Sequence, residues 1–197
     1  MVLIPRLGEK GSVVSDIKLI GYQGTGGFRD PRYADEPGLI KAGHVGVQCT
    51  GDSRIFGFHP TAAAVAAAGS LEALIQQLKR HVPQPGAVFD DTAVFFRAYE
   101  LAQQGERTTV WQLPIDLPET EAVQIYQALL DAFEMQQPFI YNFPFEDGTF
   151  NMDEYNCAVF PHSLGIPLPS FDGRLSVYIP QMIEKGATLW IPSSSPM

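Results

Sequence analysis

Cys157 lies in the stretch Asn151-Met-Asp-Glu-Tyr-Asn-Cys-Ala-Val-Phe160, and far upstream Ala42-Gly-His-Val-Gly-Val47 carries a histidine. A thiol with a distant imidazole is the minimum kit for a nucleophile and its base. A second histidine sharpens the pattern. The segment from His44 to His59 reads as two alternating strands around Gly51-Asp52. If that dipeptide centres the turn, Gly46 falls opposite Gly57 and His44 opposite His59, all on one face. Val45, Val47, Cys49, Phe56 and Phe58 take the other face, as period-2 alternation requires, and are expected to pack as core. Two glycines beside two imidazoles leave room for another backbone or a substrate, so Gly46 and Gly57 are expected to border the bound substrate.

Asp153 or Asn151 can cap a helix that holds Cys157 in its first turn, where the helix terminus favours a thiolate. Pro161 should kink or restart that helix. His44 is then the base, and later the acid that protonates the leaving group. His59, across the hairpin, is expected to orient the His44 imidazole and fix its tautomer. Tyr155 or Asn156, flanking the cysteine, is expected to donate to an oxyanion, with the Cys157 backbone N–H as an equally good donor. His81 and His162 read as structural. His44, His59 and Cys157 together would suit zinc, but no short-spaced ligand pair accompanies them, so neither a metal nor another cofactor is expected. Two cysteines permit one disulfide. Cys49 falls on the core face, however, and a buried inert thiol is its expected role.

The elements that must position these groups follow from periodicity. Residues 12–23 alternate as a strand ending in Gly24-Thr-Gly-Gly27, read as a loop bordering the site rather than a phosphate loop. After His59-Pro60, Leu71, Leu74, Ile75 and Leu78 mark a helix ended by Pro83 and Pro85. A short strand, Ala87 to Phe89, leads to an amphipathic helix from Asp91 to Leu101. Residues 108–114 read as a strand. The next helix has Asp116 and Glu119 as its capping box and a stripe of Val123, Tyr126, Leu130 and Phe133 up to Gln136-Gln-Pro138. Leu175 to Ile183 reads as helix, Ala187 to Ile191 as a final strand, and Ser193-Ser-Ser-Pro as a frayed end.

At 197 residues the chain suits a single domain, 1–197. An apolar fraction of 45% is enough for a real core. The net charge of −9, without a dense basic cluster, argues against a nucleic-acid partner. No apolar run approaches the roughly 18 residues of a membrane span. Met1 to Lys10 lacks the pattern of a secretory signal, so action outside the cytoplasm is expected to need a specialised route.

The Gly-His-Val-Gly strand, a polar residue on its partner strand and a late Asn-Cys resemble the circularly permuted NlpC-type papain-like cysteine hydrolases. Histidine first and cysteine last matches the permuted branch, which includes lecithin-retinol-acyltransferase-like enzymes, amidases and endopeptidases. The resemblance covers roughly residues 42–59 and 108–166. It implies an α+β fold, a papain-like antiparallel sheet packed against helices, with 60–107 as a helical insertion. It implies Cys157 as nucleophile, His44 as base and His59 as third polar residue. The implied activity is hydrolysis of bacterial peptidoglycan peptides through a thioester. Similar compact, signal-less hydrolases include antibacterial effectors delivered by type VI-like secretion into a target cell's periplasm, a route that brings a cognate immunity protein as partner. The alternatives are an acyltransferase, thioesterase or deamidase using the same pair on a lipid or protein, and a non-catalytic binding module on a degenerate fold.

Overall fold

A computed structural model describes residues 16–25, 28, 30–33, 43–135 and 139–192. The expected strand start at 12–15, Gly26, Gly27, Ala42, the helix stop at Gln136 to Pro138 and the serine-rich end lie outside the described residues. The fold is α+β. One eight-stranded sheet runs in the order β7-β6-β4-β3-β2-β1-β5-β8, and every pairing is antiparallel except the short one between β6 and β7.

β1 (Ile17–Gln23) and β2 (Gly43–Cys49) form the centre, with Ile17 opposite Cys49 and Gln23 opposite Gly43. β2 turns into β3 (Ile55–Pro60) through a loop in which Gly51 sits at φ 90°, a left-handed backbone open to glycine at little cost. Gly46 pairs with Gly57 and Val47 with Phe56, the register expected from the turn. Leu19, Val47, Phe56 and Phe58 belong to the larger buried core. Ile20, Tyr22 and Ile55 belong to the smaller one on the opposite face.

The stretch from Pro60 to Arg107, expected as helical, also carries a strand of the sheet. It holds α1 (Ala62–Ala68) and α2 (Leu71–Lys79), capped by Thr61 and Ser70, but also β4 (Gln84–Asp90) and α3 (Thr92–Gln103). β4 pairs with β3 from Phe56↔Asp90 to Pro60↔Gly86, and its other edge carries β6 (Phe139–Tyr141). A strand hydrogen-bonded on both sides is part of the sheet itself. α3 packs Phe95 and Ala98 into the smaller core, over the face that carries Gly46.

β5 (Val110–Ile115) pairs with β1, and β8 (Thr188–Leu189), shorter than the expected strand, closes that edge. α4 (Glu119–Glu134) buries Ala122, Ile125, Leu129 and Ala132, one residue off the expected stripe, and leaves Val123 exposed. Small alanines let the helix lie close to its neighbours. Its N-cap is Pro118 and no side chain caps it, so Asp116 and Glu119 make no capping box. α6 (Leu175–Glu184) lays Tyr178, Ile179 and Met182 into the larger core. Among the described residues, no helix is long and apolar enough to cross a membrane.

Candidate functional site

The sheet opens where β2 and β3 part. Their ladder stops at Gly46↔Gly57, while β2 stays with β1 to Gly43 and β3 stays with β4 to Pro60. His44 and His59 flank this opening, ring centroids 6.3 Å apart. They do not bond to each other. The Asp91 carboxylate stands between them, Oδ2 2.7 Å from His44 Nε2 and Oδ1 3.4 Å from His59 Nε2. The carboxylate, rather than His59, holds the imidazole of His44.

Local structure explains how an N-terminal helix residue came to do this. The Asp91 N–H donates to the Ile55 carbonyl at 2.8 Å, and the Ile55 N–H donates to Thr92 Oγ1 at 2.9 Å. These bonds pin the start of α3 to β3. Asp90 Oδ1 accepts from the Thr92 N–H at 3.0 Å and does the capping, so the Asp91 side chain makes no cap bond and turns to the histidines. Gly57 makes the space: a Cβ there would lie 1.7 Å from Asp91 Oδ2 and 2.5 Å from His44 Nε2. A Cβ on Gly46 would meet Ile55 and the Phe95 ring. The glycines therefore admit protein side chains, where the sequence suggested room for substrate.

His44 is fully buried, its ring stacked 5.5 Å from Phe95. Its second nitrogen, Nδ1, lies 3.0 Å from Arg32 Nη1. Arg32 stands in a 3-10 turn, Pro31–Tyr33, and is itself locked. Its Nε and Nη2 donate to the two oxygens of Asp30 at 3.0 and 2.9 Å, and Nη2 also donates to the Gly43 carbonyl at 2.7 Å. Asp30 further accepts from the Tyr22 hydroxyl at 3.0 Å. A continuous polar chain thus runs Tyr22–Asp30–Arg32–His44–Asp91–His59.

The charges along it follow. Burial and the Arg32 cation hold His44 down to about 4, against the pull of Asp91. Burial alone would raise the Asp91 carboxyl, but hydrogen bonds from both histidines hold it well below the carboxylate range. Asp30 is likewise lowered, burial being outweighed by Arg32. His59 is the end nearest solvent, its ring stacked 3.9 Å from Phe89.

Cys157 follows β7 (Glu154–Tyr155) in a tight turn. Asn156 caps that turn, its Oδ1 accepting from the N–H groups of Ala158 and Val159 at 2.9 and 3.3 Å. Neither Asn151 nor Asp153 does so: Asn151 donates to Glu154, and Asp153 sits at φ 62°. The helix is only α5 (Phe160–Ser163), with Pro161 in its first turn and no helix before it to restart, and Phe160 stacks 4.3 Å from Phe58 on the larger core. The thiol is free, buried and 3% exposed. Burial raises it, where the sequence suggested a lowered thiol; the Arg32 cation and the N–H of Val45, one residue beyond His44, pull the other way. Arg32 thus acts on both the thiol and the imidazole.

Asn156 Nδ2 donates to the Gly173 carbonyl at 2.7 Å, so its amide is spent on structure. Tyr155 packs beside Phe160 in the larger core. Tyr178 is different. Its hydroxyl is buried without a hydrogen-bond partner among the described residues, and the phenol is raised by burial and then by the charge of Cys157. Cys49 is free and buried, pushed up to about 12, an inert thiol. His81 packs on Phe145 and His162 on Phe171, both away from the polar chain. Asp91, Arg32 and Tyr178 were missed from sequence. Asp90-Asp91-Thr92 did offer a signal: three capping side chains where a helix needs one.

No protein-family model, curated protein or solved structure matches the chain.

Proposed function

We propose that the chain is a cysteine hydrolase, an amidase or endopeptidase working through a thioester. The observation that carries this reading is the polar chain around His44: one imidazole held by a buried carboxylate, with a guanidinium acting on it and on a buried thiol. Cys157 Sγ attacks the acyl carbon as its proton passes to Nδ1 of His44, forming the C–S bond and an oxyanion. Tyr178 Oη, a buried donor with no partner among the described residues, is the candidate to receive that oxyanion. Collapse expels the amine, which takes the proton from His44. Water then attacks the thioester, gives a proton to His44 and releases the acid, and the proton returns to the thiol. Asp91 keeps Nε2 protonated so that Nδ1 is the basic nitrogen.

The papain-like and NlpC-type resemblance of the Gly-His-Val-Gly and Asn-Cys segments supports peptidoglycan peptides as the substrate class. It supports, at one remove, an antibacterial effector countered by an immunity protein. A second reading, a binding module on a hydrolase-like fold, is favoured by the raised thiol and by the occupied Nδ1. Digestion of purified sacculi, with muropeptides read by mass spectrometry, separates them. Release by the native protein but not by Cys157→Ala or His44→Ala supports the hydrolase and names the bond. Equal release by native and Cys157→Ala protein overturns the nucleophile; no release from any of them turns the reading to another acyl substrate or to binding alone.

A further inference from the structure

We propose that Arg32 is a positioning residue that caps Nδ1 of His44 and keeps the base closed in the resting protein, a regulation of the site that rests on the cysteine-hydrolase reading above. A guanidinium only donates. With Arg32 Nη1 3.0 Å from it, Nδ1 must therefore present its lone pair, and Nε2, 2.7 Å from Asp91, must carry the proton. The tautomer follows from the heavy atoms alone. It is the tautomer a general base needs, but the nitrogen that would take the Cys157 proton is already occupied.

The cap is built rather than incidental. Arg32 and Asp30 form a two-bond fork with side chains 7% and 0% exposed, and Tyr22 and the Gly43 carbonyl fix its two ends. The ring of His44 is faced by Arg32 from the turn, Tyr22 from β1, His59 from β3, and Asp91 and Phe95 from the start of α3, and Asp30 acts on it by charge. Among these, Arg32 is the permanent cation, and it disfavours a second positive charge on the ring at every working pH. Hydrolysis then requires the guanidinium to leave Nδ1. It can do so as an ion pair with Asp30, leaving Nδ1 and the Gly43 carbonyl while the fork stays whole.

The test uses the full chain, 15N-labelled, with the His44 ring nitrogens followed by long-range proton–nitrogen NMR across the range from acid to mildly alkaline pH. The native protein is expected to show a bare Nδ1 and a protonated Nε2 throughout the neutral range. Asp30→Asn/Arg32→Gln, which removes the cation without stranding its buried partner, is expected to raise the His44 titration by about one to three pH units. A protonated Nδ1 in the native protein, or an unchanged titration in the double variant, overturns the proposal. If the double variant does not fold, scalar coupling across the Arg32 Nη1–H···Nδ1 bond in the native chain decides it: coupling supports the cap, and its absence overturns it. Neither measurement needs a substrate. Cys157 inert on every substrate, with His44 behaving as described, would sink the hydrolase reading alone; hydrolysis by a protein whose His44 titrates ordinarily would sink the cap alone.

Discussion

The two ends of β2 both meet a thiol raised by burial, and the charges around the two differ. At the closed end of the hairpin, Cys49 pairs with Ile17 and belongs to the larger core, and the nearby charge is Asp52, an anion that adds to burial in suppressing a thiolate. At the open end, burial also raises Cys157 and the Asp30 and Asp91 carboxylates add to it, but the Arg32 guanidinium and the N–H of Val45 pull the other way. The ladder is intact at one end and parted at the other. Burial alone yields an inert thiol; at the other end charged side chains stand in a gap in the sheet. The polar chain can exist only because β2 and β3 separate beyond Gly46↔Gly57.

The hardest blow to this contrast would be to disable the open end without touching either thiol. Asp91→Asn keeps the shape but faces an amide N–H toward one imidazole, favouring the wrong tautomer of His44. Muropeptide release is expected to fall about 10³- to 10⁴-fold with little change in folding. A loss under tenfold would mean that Asp91 is structural. Gly57→Ala comes next, because its Cβ would overlap the Asp91 carboxylate. We expect about 3 kcal/mol lost in urea unfolding. An unperturbed midpoint would show that Asp91 has another seat.

Acid should open the same end. The folded His44 titrates at about 4 against an ordinary 6.5, so the unfolded chain binds the proton first as pH falls. Native stability is therefore full above about 6.5 and declines toward 4, by roughly 3 kcal/mol from this residue. The lowered carboxyl of Asp91 carries the decline further into acid. Stability that is flat between pH 7 and 4.5 would contradict the buried neutral imidazole.

Tyr178→Phe removes a hydroxyl without a partner among the described residues. Unfolding is expected to be unchanged or slightly harder, while the rate of release drops about 10²-fold. Equal activity would remove Tyr178 from the site. The smallest effect compares the thiols directly. Iodoacetamide at mildly alkaline pH, followed by peptide mapping, should modify Cys157 about tenfold faster than Cys49, in keeping with the cation and amide beside it. Equal rates would erase the distinction between the two ends.

Much of the frame could be read from spacing. The register of the hairpin, the core face with Cys49, the strands near 84–90 and 110–115 and the helices beginning near 92 and 175 follow from alternation and amphipathic stripes, which are local. The stripe of α4 slipped by one residue because alanines, weak hydrophobic markers, face the core there. The cysteine turn was misplaced because Asn151, Asp153 and Asn156 are equally good caps by type, and only the fold decides which side chain is free. Asp91 hid behind its own capping signal, and Arg32 behind an irregular glycine-rich loop.

By itself the sequence determined the register of the β2–β3 hairpin as far as Gly46↔Gly57, because a register needs only a turn and a period of two; the expected pairing of His44 with His59 does not form, since the strands part there. Tertiary structure decided what surrounds the two histidines. The carboxylate between the histidines arrives from the start of α3, the guanidinium from a turn ahead of β2 and the thiol from a turn more than a hundred residues away. Electrostatics depends on distance in space and on exclusion of water, and neither is written in the order of residues along the chain.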